Sequence, residues 1–100
     1  MTYRVRFTTE ARDDLERLFD FLLEASGDWR HAERAIAAIE AGTEILKAFP
    51  YTCRKAGGSP FLRELLVSFG HTGYVLLFEI GAHRTVTIAA VRHQRESDYH

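Results

Sequence analysis

Over the opening stretch apolar and polar residues take turns: Tyr3, Val5 and Phe7 alternate with Arg4 and Arg6. That is the period-2 pattern of a strand with one face on a core. The period then lengthens. Ala11, Leu15, Leu18, Phe19 and Leu22 recur at the spacing that stacks side chains along one face of a helix. Thr8 and Thr9 stand where a hydroxyl can accept from the free N–H groups of a helix start, and Glu10, Asp13 and Asp14 complement its positive end. Gly27 predicts the stop. Phe21 and Leu23 lie off the stripe and form an apolar surplus. Asp28 is placed to cap a second helix, in which Ala32, Ala35, Ile36, Ile39, Thr43 and Leu46 repeat every three or four residues until Pro50 forbids continuation. The link Ser26-Gly27-Asp28 is so short that the two helices read as an antiparallel hairpin.

Next comes "YTCRKAGGSP", whose glycines, prolines and polar residues predict a loop. Three β-rich runs follow, "FLRELLVSF", "YVLLFEI" and "TVTIAAV", separated by the glycine-containing turns "GHTG" and "GAHR", as in an antiparallel meander. Tyr74, Leu76, Phe78 and Ile80 take one face of the middle run, and its other face remains largely apolar, which makes that strand central. The order β-α-α-β-β-β predicts an α+β fold, with the helical hairpin packed on one face of a four-stranded sheet and residues 1–100 forming one domain. A hairpin covers only one face. Val75, Leu77, Thr87, Ala89 and Val91 predict that part of the opposite face is apolar too, and a partner or a second copy of the chain would cover it.

Composition narrows the classes. With 46% hydrophobic and 27% charged residues the chain is an ordinary globular one, and no stretch approaches the ~20 apolar residues of a membrane span. The alternating N-terminus offers no apolar signal core, so a cytoplasmic address is expected by default. Cys53 is the single cysteine, which excludes an internal disulfide. Apart from His93, the histidines His31, His71, His83 and His100 show no pair at zinc-ligand spacing, and "AGGSP" lacks the lysine and helix of a phosphate loop, so neither a metal nor a cofactor is expected. Charge is unevenly placed. Residues 9–49 hold ten acids and five bases, whereas the rest holds eight bases and four acids, which predicts an acidic hairpin and a basic remainder. Arg92, His93 and Arg95 leave the last strand as a concentrated basic tip. Arg63, inside an apolar run, marks a cleft on the sheet or keeps an edge strand soluble.

Over essentially its whole length the chain resembles the RelE/ParE superfamily of small bacterial toxins from type II toxin–antitoxin systems. The resemblance rests on the opening "VRFTTEARDDLERLFDFL", the hairpin "FLRELLVSFGHTGYVLLFEI" and the closing "VTIAAVRHQRESDYH". The last is similar to the ParE-like and plasmid-stabilisation branches. Members of one branch cut messenger RNA on the ribosome, which needs proton-transfer groups and cations on the phosphate. Those resembling this chain carry an arginine after a Gly-Tyr pair, but here Gly73-Tyr74 is followed by Val75. The resemblance therefore implies a ParE-like toxin that inhibits DNA gyrase, is not itself an enzyme and is neutralised by a ParD-like antitoxin in a hetero-oligomer. The alternatives are a RelE-like ribosome-dependent endoribonuclease with Arg63, His93, Arg95 and Tyr99 as catalytic candidates, or a non-toxic antitoxin-binding homologue. On the first reading Arg63, Arg92, His93, Arg95 and Tyr99 bind the target. Leu15, Leu18, Phe21, Leu22, Leu23, Val75 and Leu77 bind the antitoxin.

Overall fold

The computed structural model describes residues 2–95. Strand β1 (Arg4–Phe7) leads into helices α1 (Thr9–Ser26) and α2 (Trp29–Gly42), then two 3-10 turns (Thr43–Lys47 and Pro50–Thr52). Strands β2 (Arg54–Lys55), β3 (Leu62–Phe69), β4 (Thr72–Gly81) and β5 (Thr85–His93) complete the order. The helix starts are capped as the sequence predicts: Thr8 Oγ1 accepts from Ala11 N–H at 3.0 Å and Asp28 Oδ1 from Arg30 N–H at 2.9 Å. Gly27 adopts the left-handed conformation (φ 69°) that closes α1, with its N–H on the Leu23 carbonyl.

The sheet runs β1-β5-β4-β3-β2, with β1 parallel to β5 and the other pairs antiparallel. The helices lie on one face and the fold is α+β, as expected. Tyr74, Leu76, Phe78 and Ile80 of β4 meet Leu65, Val67, Val86, Ile88 and Val91 from its neighbours, and Ala11, Leu18, Ala35, Ile39 and Leu46 close the core from above. Among the described residues no helix is long and apolar enough to cross a membrane.

Four details differ from the reading of the sequence. The "YTCRKAGGSP" segment is not all loop, because Arg54 and Lys55 pair with Glu64 and Arg63 and add a fifth strand. Two residues are too few for a periodicity to show. The second helix tightens at Gly42 into a 3-10 turn instead of running to Pro50. A Cβ at Gly42 would stand 2.7 Å from Val67 Cγ2, so glycine is what lets the helix end come down onto β3. Third, β5 continues through Arg92 and His93, so these residues belong to the strand and not to a tip beyond it. Lastly, Val91 lies in the core and not on the open face. Between Leu77 and Phe78 the β4–β5 register shifts, leaving Ala89 unpaired. One extra residue reverses the alternation, sending Val91 toward the helices and Ala90 to the other side.

Candidate functional site

Strand β1 pairs with β5 only from Thr85 to Ile88, so the outer edge of β5 beyond Ile88 needs other partners. Helix α1 supplies them. Thr8 N–H donates to the Ile88 carbonyl at 3.0 Å, and Thr8 Oγ1 reaches the Ala89 carbonyl at 3.4 Å. Nearly two turns further on, Asp14 Oδ2 accepts from Val91 N–H at 2.9 Å and pairs with Arg92 Nη1 at 2.6 Å, with both side chains largely buried. Asp14 Oδ1 also lies 3.5 Å from Arg17 Nη2. A single carboxylate thus closes the strand edge, pairs with the largely buried Arg92 guanidinium and orients a second.

His93 ends the strand. Its Nδ1 accepts from Arg95 N–H at 3.1 Å, and its Nε2 lies 2.7 Å from Thr72 Oγ1. Because a backbone N–H can only donate, the neutral ring carries its hydrogen on Nε2 and donates it to Thr72. The imidazole meets the Tyr74 ring edge-on at 5.6 Å, and the stack continues through Phe69 to His31. Among the described residues the buried Tyr74 hydroxyl has no hydrogen-bond partner, and burial pushes its pKa up. Gln94 N–H closes the strand end on the Gly73 carbonyl at 2.9 Å.

Between this strand end and α1 opens a groove of about 570 Å³ lined by Arg17, Leu18, Phe21, His93 and Arg95. Its wall is apolar and its rim carries two guanidiniums and an imidazole. It suits a segment that presents an apolar side chain next to an anionic group. The structure therefore brings together residues that the sequence assigned to different tasks, with Leu18 and Phe21 from the antitoxin set beside His93 and Arg95 from the target set. Arg17, Asp14 and Thr72 were missed. For Arg17 the signal was present in its i,i+4 spacing to Phe21 on α1.

Other candidates separate. The Arg63 guanidinium donates to the carbonyls of Pro60 (2.8 Å), Tyr51 (3.0 Å) and Cys53 (2.8 Å), so it braces the segment before β3 rather than offering itself to a target. Val67, not Arg63, stands across from Tyr74, itself opposite His93. Arg63 is four residues back, roughly 13 Å along the strand. Arg63 therefore does not converge with His93 and Arg95. Arg92 is engaged by Asp14 instead of standing at a free tip. Leu18 is buried, and Leu15 and Leu22 pack partly into the core, whereas Phe21 is 62% exposed and Leu23 half-buried. Val75 and Leu77 lie on the opposite face of the sheet from α1, beside the 50% exposed Leu66. The antitoxin set is thus two patches joined only around an edge. Tyr99 lies outside the described residues. Among the described residues no group of three or more His, Cys, Asp or Glu gathers to hold a metal.

Solved structures similar in fold span nearly the whole chain. A chromosomal ParDE system of P. aeruginosa superimposes with a TM-score of 0.75 at 16% identity, covering 91% of this chain and 95% of that one. The RelBE2 toxin–antitoxin complex of Mycobacterium tuberculosis gives 0.64 at 28% identity, covering 94% and 100%. The archaeal RelE–RelB complex of Pyrococcus horikoshii gives 0.57 at 17% identity, covering 97% and 100%. No curated protein sequence is similar enough to count as a match. The family model for the ParE toxin of the type II toxin–antitoxin system parDE matches residues 5–98. The strand, hairpin and meander are thus those of a known toxin fold, and the chain belongs to the ParE toxin family of type II toxin–antitoxin systems.

Proposed function

We propose that this chain is a toxin that arrests DNA gyrase in the cytoplasm and is held inactive by a small ParD-like antitoxin. The observation that carries the choice of target is the separation of Arg63 from His93 and Arg95, with Val75 where a phosphate-binding arginine would stand. Ribonuclease chemistry needs its cations and proton-transfer groups around one phosphate, and removing such charge stabilisation costs about 3 kcal/mol of barrier. Gyrase arrest needs a docking surface only. Arg95, held through its backbone on His93, and the half-exposed strand end supply that surface. The antitoxin lays an apolar side chain against Phe21 and Leu18 and continues around the β5 edge toward Val75 and Leu77, combining helix-in-groove with extended-segment recognition. It thereby covers the residues that dock on the target.

Expression without antitoxin, with supercoiling and ribosome assays in parallel, tests this reading. The expected result is growth arrest, loss of supercoiling activity with double-strand breaks, and rescue of supercoiling by Arg95→Ala in a protein that still melts normally. Codon-dependent message cuts in the ribosomal A site would overturn it in favour of an endoribonuclease. Harmless high-level expression would identify a non-toxic antitoxin-binding homologue instead.

A further inference from the structure

At the end of the sheet opposite the groove, cations lie on aromatic rings. The Arg84 guanidinium stands 5.5 Å from the centroid of the Tyr3 ring, and that of Arg63 stands 5.4 Å from the centroid of Tyr51. A chain of contacts joins the two stacks. Tyr3 N–H donates to the Lys47 carbonyl at 2.7 Å, Phe49 N–H to the Ile45 carbonyl at 2.8 Å, and Thr52 N–H to the Phe49 carbonyl at 3.2 Å. Arg63 then ties Tyr51 and Cys53 to Pro60, whose neighbour is Phe61, and Lys55 stands across from Arg63 on β2. From β1 to β3 this rim crosses three strand spacings, about 15 Å.

The rings are not packed away. Phe49 is 60% exposed, Tyr51 47% and Phe61 49%, while Pro50 between the first two is buried and turns both outward. On the same side of the sheet as Arg63 and Lys55 stand Lys47, already paired with Glu44 (2.8 Å), and Arg84, whereas Arg54 and its partner Glu64 (2.9 Å) lie on the other face. The β4–β5 turn that presents Arg84 holds two adjacent non-glycine residues, His83 (φ 56°) and Arg84 (φ 52°), in the left-handed region. Side chains there are strained, and such strain concentrates at functional sites.

We propose that this rim binds single-stranded nucleic acid, with phosphates against Lys47, Lys55 and Arg84 and bases stacked on Phe49, Tyr51 and Phe61, while Arg63 holds the ring-bearing segment in place. Interleaved cations and exposed rings are what an unpaired strand requires, because every base offers a π-face and every nucleotide a phosphate. An acidic peptide would use the cations and leave the phenylalanine rings bare. A duplex keeps its bases in its own stack, out of reach of the rings. The surface is separate from the groove at the far end of the sheet and does not depend on which target the groove engages.

Fluorescence anisotropy on the full chain tests this, using a labelled mixed-sequence single strand of about ten nucleotides, the matching duplex and a polyglutamate peptide. The single strand is expected to bind, and binding should weaken about tenfold or more between roughly 50 and 200 mM salt. Phe61→Ala and Tyr51→Ala are each expected to weaken it about fivefold or more with the melt unchanged. Trp29→Ala, which removes an exposed ring outside the rim, is expected to change nothing. The proposal is overturned if the single strand does not bind at low salt, if the duplex or polyglutamate binds as well, or if the two ring variants bind like the parent.

Discussion

At the groove end of the sheet Arg92 is largely buried and answered by Asp14, which also receives the Val91 N–H. At the rim end Arg84 lies on the ring of Tyr3 with its charge in water, and Arg63 combines a ring with three carbonyls. The same residue type does opposite work. A guanidinium paired out of water fixes the backbone around it, and removing a carboxylate that answers it weakens the compensation of a largely buried charge. A guanidinium merely stacked at the surface, as Arg84 is, stabilises little yet keeps a cation available to a ligand, whereas Arg63 is held by its three carbonyls as a brace.

Substitutions that separate the two ends follow in order of expected size. Asp14→Ala leaves Arg92 and the Val91 N–H without their carboxylate and should lower unfolding free energy by about 3 kcal/mol. Urea unfolding checks this, and a loss near zero would mean that the pair is no anchor. Arg63→Ala releases three carbonyls and should cost about 1–2 kcal/mol in the same assay, while leaving growth arrest intact because Arg63 is a brace. Arg63→Lys should not restore the loss, since one ammonium cannot reproduce the planar fork. Phe21→Glu places a charge on a ring that is 62% exposed, so the fold should tolerate it. Antitoxin affinity should fall at least tenfold, about 1.4 kcal/mol, by calorimetric titration. Leu77→Glu should produce a smaller loss if the antitoxin continues around the sheet edge.

Tyr74→Phe should have the smallest effect. It deletes a buried hydroxyl with no partner among the described residues, so stability should be unchanged or rise by up to about 1 kcal/mol. The effect should grow in alkali. Burial raises the phenol's pKa in the folded chain, so the unfolded chain releases that proton first, and wild-type stability falls from the ordinary tyrosine value near 10 upward. The variant should lack that component of the fall. Parallel melts of the two proteins from neutral to alkaline pH check it.

Much of this was legible in the chain. The alternation around Val5, the stripe through Leu15 and Leu18, the Thr8 and Asp28 caps and the Gly27 stop each depend on contacts within a few residues, so local pattern reports them directly. The site was legible as residue types but not as a place. His93 and Arg95 could be named, and so could Phe21, yet nothing local says that α1 crosses the end of β5. Arg63 illustrates the reverse error, since an arginine in an apolar strand looks available until the carbonyls of Tyr51, Cys53 and Pro60 surround it.

What the sequence by itself determined was the order of the main elements, the hairpin and the meander, because these follow from short-range sterics, capping chemistry and hydrophobic period, while the family was legible only as a resemblance of motifs. Tertiary structure alone decided that β1 lies parallel beside β5, that Arg54 and Lys55 form an edge strand, and that one unpaired alanine sends Val91 inward and Ala90 outward. It also decided that Arg17, Leu18, Phe21, His93 and Arg95 share a groove. These depend on register and on contacts between residues far apart in the chain. A shift of one residue there reverses which face every later side chain takes without altering the local pattern that codes for the strand.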